Sequence, residues 1–497
     1  MNTAAQTATH TVAQLWQEAG LPSAALAKLQ LTGQDPVLPS SFAVGTAAQA
    51  SIAAAALAAS HVGTLRGLAA SNISVDMAHA AMECLSHFAI DGVTPPLWDK
   101  FSGAYRCADG WVRIHANFAH HREGVLELLG FSDVANTSKT DVENALLSWR
   151  AEDFETRAST HGLVVAALRS HAQWQAHPQA VSIAAQPLFA IDSIATETSL
   201  AWQSQHAQMR TERWSSLTPT HEPSSTVTQV HTQPKPLRGL RVLDLTRILA
   251  GPVCGRALAA YGADVLLVNS PHLPNIDAIA DTSRGKRSTH IDLRSAQGQL
   301  AMRQLIAQAD IFVQGYRPGA LEALGFGPQA VAALNPRIVY VSLSAYSDAG
   351  PWAQRRGFDS LVQTASGLNA DESFAAGLDL ATSPPRTLPM QILDHATGYL
   401  MAFAALAALA QQHGQGAHAS ALHVRLSLAR TALWLRSLGR VEKGLNCTKP
   451  STAPFEYTAP SGFGQLTALT HSAQFDGQNA TWALPSVPPG THPAQWW

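Results

Sequence analysis

The sequence predicts an α/β protein, with a large Rossmann-like domain on a parallel sheet and a smaller α+β domain. Three observations carry this. Strand and helix patterns alternate after position 237, two short strands flank an Asp-Gly turn at 109–110, and a change of composition at 203–236 separates the two patterns. In the C-terminal part, RVLDL (241–245) reads as a buried strand, and AGPVCGRALAAYG as a small-residue helix closed by Gly262. DVLLVN (264–269) is a second strand. A helix at 295–308 precedes the strand DIFVQ (310–314), and RIVYVSLS (337–344) opens after Asn335-Pro336. Strands separated by helices imply right-handed crossovers and a parallel sheet. In the N-terminal part, helical segments dominate residues 47–88. GAYRCADGWVRIHA forms a hairpin about Asp109-Gly110, and a helix follows at 121–129. The segment 203–236 is rich in Ser, Thr, Pro and His without apolar period and reads as a linker.

Composition narrows the function classes. The 497 residues are 46% hydrophobic and 14% charged, with a net charge of −2, which suits a folded chain and excludes a wholly disordered one. No global basic field exists to hold nucleic acid or anionic lipid. Cys84, Cys107, Cys254 and Cys447 form no CxxC pair and read as reduced thiols. The apolar stretches at 51–59 and 400–410 are short against ~30 Å of hydrocarbon. The first residues lack the pattern of a signal peptide. The expectation is a soluble cytoplasmic protein without nucleic-acid or membrane partners.

The chain also echoes itself. AALAASHVG at 55 resembles AALAALAQQHG at 404, and SNISVDMAHAAMECLSHFAI resembles SALHVRLSLARTALWLRSLG, both at one offset of 349 residues, Val75 with Val424. At that offset Gly45 stands opposite Asp394, so the two copies are not chemically equivalent.

Six blocks in order, GLRVLDLTRILAGP, YGADVLLVNSP, SRGKRSTHIDL, ADIFVQGYRPGALEALGFG, NPRIVYVSLSAYSDAGPWAQRRGFDSLVQTASGL and LPMQILDHATGYLMAFAALAAL, resemble the family III CoA-transferases and the related acyl-CoA racemases. In the N-terminal part, ISVDMAHAAMECL resembles the family's VDVSLLEA segment. AYRCADGWVRIHANFAHHREGVLELLG resembles its small domain, and ALRSHAQWQAHPQ the return towards the large domain. The halves of the family unit thus stand in swapped or partly duplicated order. The division expected is a partial, degenerate large-domain segment at 1–90, a small domain at 91–202, the linker, a large domain at 237–440 and a return segment at 441–497.

A carboxylate can attack a thioester carbonyl, forming a mixed anhydride and releasing CoA thiolate. The resemblance gives that role to Asp394 in D-x-x-x-G-x-x-x-A, with Gly398 leaving room beside it; a helix cap is the alternative for an Asp at this place. It implies that CoA is held by Arg247, Arg284, Lys286, Arg287, Tyr316, Arg317, Ser344 and Tyr346, whose cations answer the CoA phosphates. Coenzyme A is then substrate and carrier, with no permanently bound cofactor and no metal. The partners are an acyl-CoA, a carboxylic acid and, as the family forms interlocked dimers, a second copy of the chain. The sequence departs from the family at Ser283, at Gln314-Gly315 and at Asn269. Phe358, beside Arg355 and Arg356, stands where racemases carry a proton-transferring His, and Phe exchanges no proton. This favours CoA transfer between an acyl-CoA and a free acid. An acyl-CoA racemase or isomerase and an inactive CoA-binding paralogue are the alternatives. His395, beside Asp394 on a helix, faces elsewhere. His120 and His121 read as surface or packing residues, and Trp496 and Trp497 as a docked tail.

Overall fold

The computed structural model describes residues 6–195, 208, 210, 212–215 and 235–496. Its centre is a seven-stranded sheet in the order Lys286–His290, Asp264–Asn269, Arg241–Leu245, Ile311–Gln314, Val339–Ser344, Leu422–Ser427 and Ala190–Ser193. The first six are mutually parallel. Their apolar runs are covered on both faces, as a parallel sheet requires. The seventh strand comes from the N-terminal part and pairs antiparallel with Leu422–Ser427. From Arg241–Leu245 the chain builds outward in one direction to Lys286–His290. It then crosses back to place Ile311–Gln314 on the other side. The strand order therefore reverses between Arg241–Leu245 and Ile311–Gln314, the place where α/β sheets open a ligand crevice.

One face of the sheet is packed by Ala296–Ile306 and Pro328–Leu334, through Met302, Leu305, Ile306 and Val331. The other is packed by Ala250–Ala260 and Ile392–Gln415, and Val44–Leu65 lies against the latter. The Ile392–Gln415 helix is long and apolar enough to cross a membrane by length and composition, and its most apolar window is wholly buried inside the protein. Alanine and glycine permit this close approach. At Gly398 a Cβ would sit 2.4 Å from the Ala250 carbonyl oxygen and 2.7 Å from the Val253 Cβ. Gly398 therefore serves helix–helix contact, and the expectation that it makes room beside Asp394 is corrected.

The smaller domain has the expected hairpin, Gly103–Arg106 with Trp111–Ile114, extended antiparallel by Val165–Ala167. The Asp109 carboxylate accepts from the Ala151 amide at 2.8 Å and Arg150 Nε at 3.0 Å, fastening the turn. Ala119–Leu128, Lys139–Leu146 and Ala151–Thr160 close its core around Phe101, Tyr105 and Phe154.

Helical segments dominate residues 47–88, as expected, with one short strand among them. Between the helices Val44–Leu65 and Met77–Glu83, the strand Ile73–Asp76 pairs parallel with Leu29–Thr32 and antiparallel with Ala473–Phe475. This matches the internal echo. Helix, strand and helix in the N-terminal copy correspond in order to Ile392–Gln415, Leu422–Ser427 and Leu428–Ser437. The segment after 441 forms a hairpin, Glu456–Ser461 with Gly464–Leu469, that also pairs with Phe88–Ile90.

Most of the expected linker lies outside the described residues. Within it, Arg210 is buried and its Nε meets Asp310 at 2.9 Å. The Arg66 guanidinium reaches the carbonyls of Arg213, Trp214, Pro236 and Arg238. These described stretches are docked on the body. Trp496 is docked as well, its Nε1 donating to the Leu305 carbonyl at 3.1 Å; Trp497 is outside the described residues.

The close approach at Gly398 makes a direct test. Gly398→Ala should overpack the interface with Ala250–Ala260 and cost about 1–3 kcal/mol, read as a lower midpoint in urea unfolding.

Candidate functional site

At the point of strand reversal a cavity of about 390 Å³ opens, with Asp394 in its wall. The turn after Arg241–Leu245 contributes Arg247 and Ile248. The loop after Ile311–Gln314 contributes Tyr316 and Arg317, and the end of Val339–Ser344 contributes Ser344. The small domain closes the cavity with Phe118, His120 and His121. Ile248 is held at φ +78°, in the left-handed region that β-branched residues avoid. That turn brings Arg247 onto the cavity wall, where its Nη2 donates to the Pro274 carbonyl and its guanidinium lies 5.5 Å from the Phe118 ring centroid.

Asp394 sits in the first turn of Ile392–Gln415 and is 8% exposed, through the cavity. Its carboxyl accepts no hydrogen bond among the described residues. The free amides of this helix end go instead to Asp359, whose Oδ2 accepts from the Asp394 N–H at 2.9 Å and whose carboxylate also takes the Leu393 N–H. Asp359 is thus the cap, and the reading of Asp394 as a cap is corrected. Burial, with the like charge of Asp359 beside it, holds the Asp394 carboxyl well above the usual range. Burial raises Asp359 too, against the lowering effect of those amides. Asp394 is a poorly solvated carboxyl at the edge of a cavity also lined by Arg247, Arg317 and Arg356.

The structure brings Asp394, Arg247, Tyr316, Arg317 and Ser344 together. It does not bring Arg284, Lys286, Arg287 or Tyr346 to the cavity. Lys286 lies inside the sheet layer rather than in a loop. It is fully buried, with Nζ 2.8 Å from Asp244 Oδ2 and 2.8 Å from the Pro252 carbonyl oxygen. Arg284 is paired with Asp281, donates to the Leu469 carbonyl at 2.7 Å, and lies 3.9 Å from the Trp482 ring centroid. Arg287 pairs with Asp264 at 3.0 Å. Tyr346 packs edge-on against Trp352, with its carbonyl held by Gln179 Nε2 at 2.6 Å. A basic run thus became an internal set of ion pairs once its strand and preceding turn were covered from both sides.

The departures from the family pattern have local explanations. Gln314 Oε1 accepts from the Tyr316 amide at 2.8 Å, a turn-fixing bond that a carboxylate could equally make. Asn269 bonds Ser288 and Asn275 and ties the strand end to its loop. Phe358 stacks on His115 with ring centroids 4.0 Å apart, on the cavity wall. His395 points away from the cavity to Ser86 Oγ, at 2.8 Å.

Sequence reasoning missed two contributions. The small-domain wall was set aside with His120 and His121, although FAHH directly follows the hairpin. His121 is buried and accepts from Arg356 Nη1 at 3.4 Å. Burial first, then the neighbouring histidines and arginines, pulls it down to about 3, so it is neutral at pH 7. Asp359 was also passed over; its place immediately after Phe358 was the available signal. Among the described residues no group of three or more His, Cys, Asp or Glu is arranged to hold a metal ion.

Residues 237–454 match the family described as CoA-transferase family III. Over 196 residues the chain is 35% identical to a probable fatty acyl-CoA transferase of Mycobacterium tuberculosis, covering 37% of this chain and 48% of that protein. Over 272 residues it is 30% identical to a formyl-CoA:oxalate CoA-transferase of Streptomyces coelicolor, covering 52% of this chain and 62% of the other. The chain spans about half the length of the curated relatives it matches. A CAIB/BAIF family protein from Brucella suis, of known structure, is 26% identical, with 47% of this chain and 65% of that chain covered and a TM-score of 0.36.

Two outcomes follow from the placement of these charges. Lys286→Met leaves Asp244 buried without its partner and should cost about 3–5 kcal/mol in unfolding free energy. Asp394→Asn should act in the opposite direction. Unfolded Asp titrates near about 3.9, and the folded carboxyl is raised above this. The stability it contributes is full below the unfolded value and is lost as pH rises through the folded one. At pH 7.5 the Asn variant should therefore be the more stable, with a higher Tm, and the gain should shrink towards pH 4. Melting curves across that pH range check both sign and window.

Proposed function

We propose that this protein transfers CoA between an acyl-CoA thioester and a free carboxylic acid, with Asp394 as the nucleophile. The observation that carries the reading is an unbonded, poorly solvated carboxyl opening onto a cavity lined by four arginines at the point of strand reversal. Arg247, Arg317 and Arg356 supply the fixed cations that CoA phosphates require, with Tyr316 and Ser344 beside them. Asp394 attacks the thioester carbonyl; the C–S bond breaks, CoA leaves as thiolate, and an acyl-aspartyl anhydride remains. The thiolate then attacks the aspartyl carbonyl, giving an aspartyl-CoA thioester and releasing the first acid. The second acid's carboxylate repeats the exchange in reverse, and the Asp394 carboxylate is restored. Weak solvation leaves the carboxylate reactive once ionised, because little water has to be removed before attack.

Phe358 and the neutral His121 offer no charged acid–base pair to move a proton at the acyl α-carbon, so transfer is favoured over racemisation. The small domain supplies one wall of this cavity through Phe118, His120 and His121. A charged, water-soluble CoA substrate fits a cytoplasmic location.

In the N-terminal copy, Gly45 stands at the place of Asp394, and its amide is capped by Asp35 just as the Asp394 amide is capped by Asp359. A Cβ at Gly45 would sit 2.5 Å from Asp35 Oδ1 and from Val37 Cγ1, so no equivalent carboxyl can stand there. One reactive centre per chain is expected. Intact-mass measurement with a panel of acyl-CoAs should find one covalent adduct per chain, on Asp394. Asp394→Asn should form none while still binding CoA within about threefold of wild type in calorimetry. An adduct on the Asn variant at the wild-type rate, with deamidation excluded by mass, removes the nucleophile from this reading; solvent deuterium entering the α-carbon replaces transfer by racemisation.

A further inference from the structure

Two helices begin at the Asp394 cavity, and their ends differ. The first amides of Ile392–Gln415 are taken by the Asp359 carboxylate, which accepts from the Asp394 N–H at 2.9 Å. Ala250–Ala260 starts from Leu249 with no side-chain cap and no acidic residue in its first turn. Leu249 and Ala250 both line the cavity. A helix start leaves its first N–H groups without partners inside the helix. Here Pro252 lacks the N–H, and that of Val253 reaches the Leu249 carbonyl at 2.9 Å. The Ala250 and Gly251 N–H groups remain, and neither finds an acceptor among the described residues.

These amides are also shut away from bulk water. Ala250 is 3% exposed and Gly251 is buried. Buried N–H groups without a partner are rare in folded proteins, so a pair of them marks a place for an acceptor atom that the chain does not supply. A second, independent observation points to the same place. The Asp394 carboxyl, nine-tenths buried in the wall of that cavity, has no donor either. The packing sets the two helix starts side by side, because the Ala250 carbonyl lies against Gly398, one turn on from Asp394. Unbonded donors thus stand next to an unbonded attacking group.

We propose that the Ala250 and Gly251 N–H groups receive the oxygen of the thioester carbonyl while Asp394 attacks its carbon. The proposal rests on the transfer reading of this cavity. As an Asp394 oxygen bonds to the carbonyl carbon, the π pair of the C=O bond moves onto its oxygen. That oxyanion accepts the two N–H bonds, and no proton changes place. Collapse restores the C=O bond and breaks the C–S bond, and the pair leaves on sulfur. Donors fixed beforehand at the positive end of a helix favour the charge that develops over the neutral thioester. An open helix start also suits the carboxylate of the free acid before reaction, and rates and affinities separate the two.

In the full chain, lactic acid is placed at position 250 by nonsense suppression, so that an ester replaces the Leu249–Ala250 amide and only the N–H is lost. The same change at Ala257, inside the helix, is the control. Loading of Asp394 is followed in single turnovers with butyryl-CoA, or with whichever acyl-CoA of the panel loads the wild type faster. Butyrate and CoA affinities are read by calorimetry. The ester at Ala250 should slow loading about a hundredfold, keep both affinities within about twofold, and lower the Tm by less than the control does. The ester at Ala257 removes a helix bond, so it should lower the Tm and leave the loading rate within about threefold of wild type. Wild-type loading by the Ala250 ester overturns the proposal, and the adduct itself keeps the transfer reading. A tenfold loss of butyrate affinity at an unchanged rate assigns the amides to the free acid and overturns it as well. A wild type that forms no adduct sinks both readings. Should the ester chain not fold, infrared spectra of Asp394→Asn with carbonyl-labelled butyryl-CoA decide instead: the bound C=O stretch should fall below its value in water, and an unshifted band overturns the proposal.

Discussion

Over most of its length the Ile392–Gln415 helix has no face turned to water. It lies between Ala250–Ala260, Val44–Leu65 and the sheet, and contact on every side fixes both its rotation and its height. Such packing needs small residues, because interiors are as dense as organic crystals and tolerate neither gaps nor added atoms. Alanine supplies most of the surface, and Gly398 meets the Ala250 carbonyl where even a methyl would not fit. The position of Asp394 is inherited from this contact.

The same helix end divides labour between two carboxylates. Helix amides favour an anion placed at them, and Asp359 occupies that place. Asp394, one step along, is left with the cavity for surroundings. Two like groups in one region with different hydrogen bonding diverge in proton affinity and in reactivity. This division is what suits Asp359 to structure and Asp394 to chemistry.

Elsewhere, charge is used to join segments distant in sequence. Glu83 from the N-terminal copy, Arg256 and Asp281 from the large domain, and Arg284 with its bond to the Leu469 carbonyl form one buried set beneath the C-terminal segment. Removing charges from water is costly unless each meets a partner. These pairings therefore hold only when the N-terminal, central and C-terminal pieces are all in place. The buried Lys286–Asp244 pair follows the same rule within the sheet layer.

The amino-acid sequence by itself determined the parallel sheet, the small-domain hairpin, the helix–strand–helix echo and the placing of Asp394 at a helix start. Each is written in local periodicity, in turn residues or in a motif of close spacing. It did not determine where the basic residues go. Arg284 to Arg287 and Arg317 look alike as cations beside strands, yet only Arg317 reaches the cavity, because burial depends on which layers cover a strand and not on the strand's own residues. Nor could it show that 73–76 is a strand, since that strand owes its partners to residues 29–32 and 473–475. The small-domain wall of the cavity and the capping by Asp359 were likewise decided by contacts between segments far apart in the chain. Such contacts leave no period in the sequence.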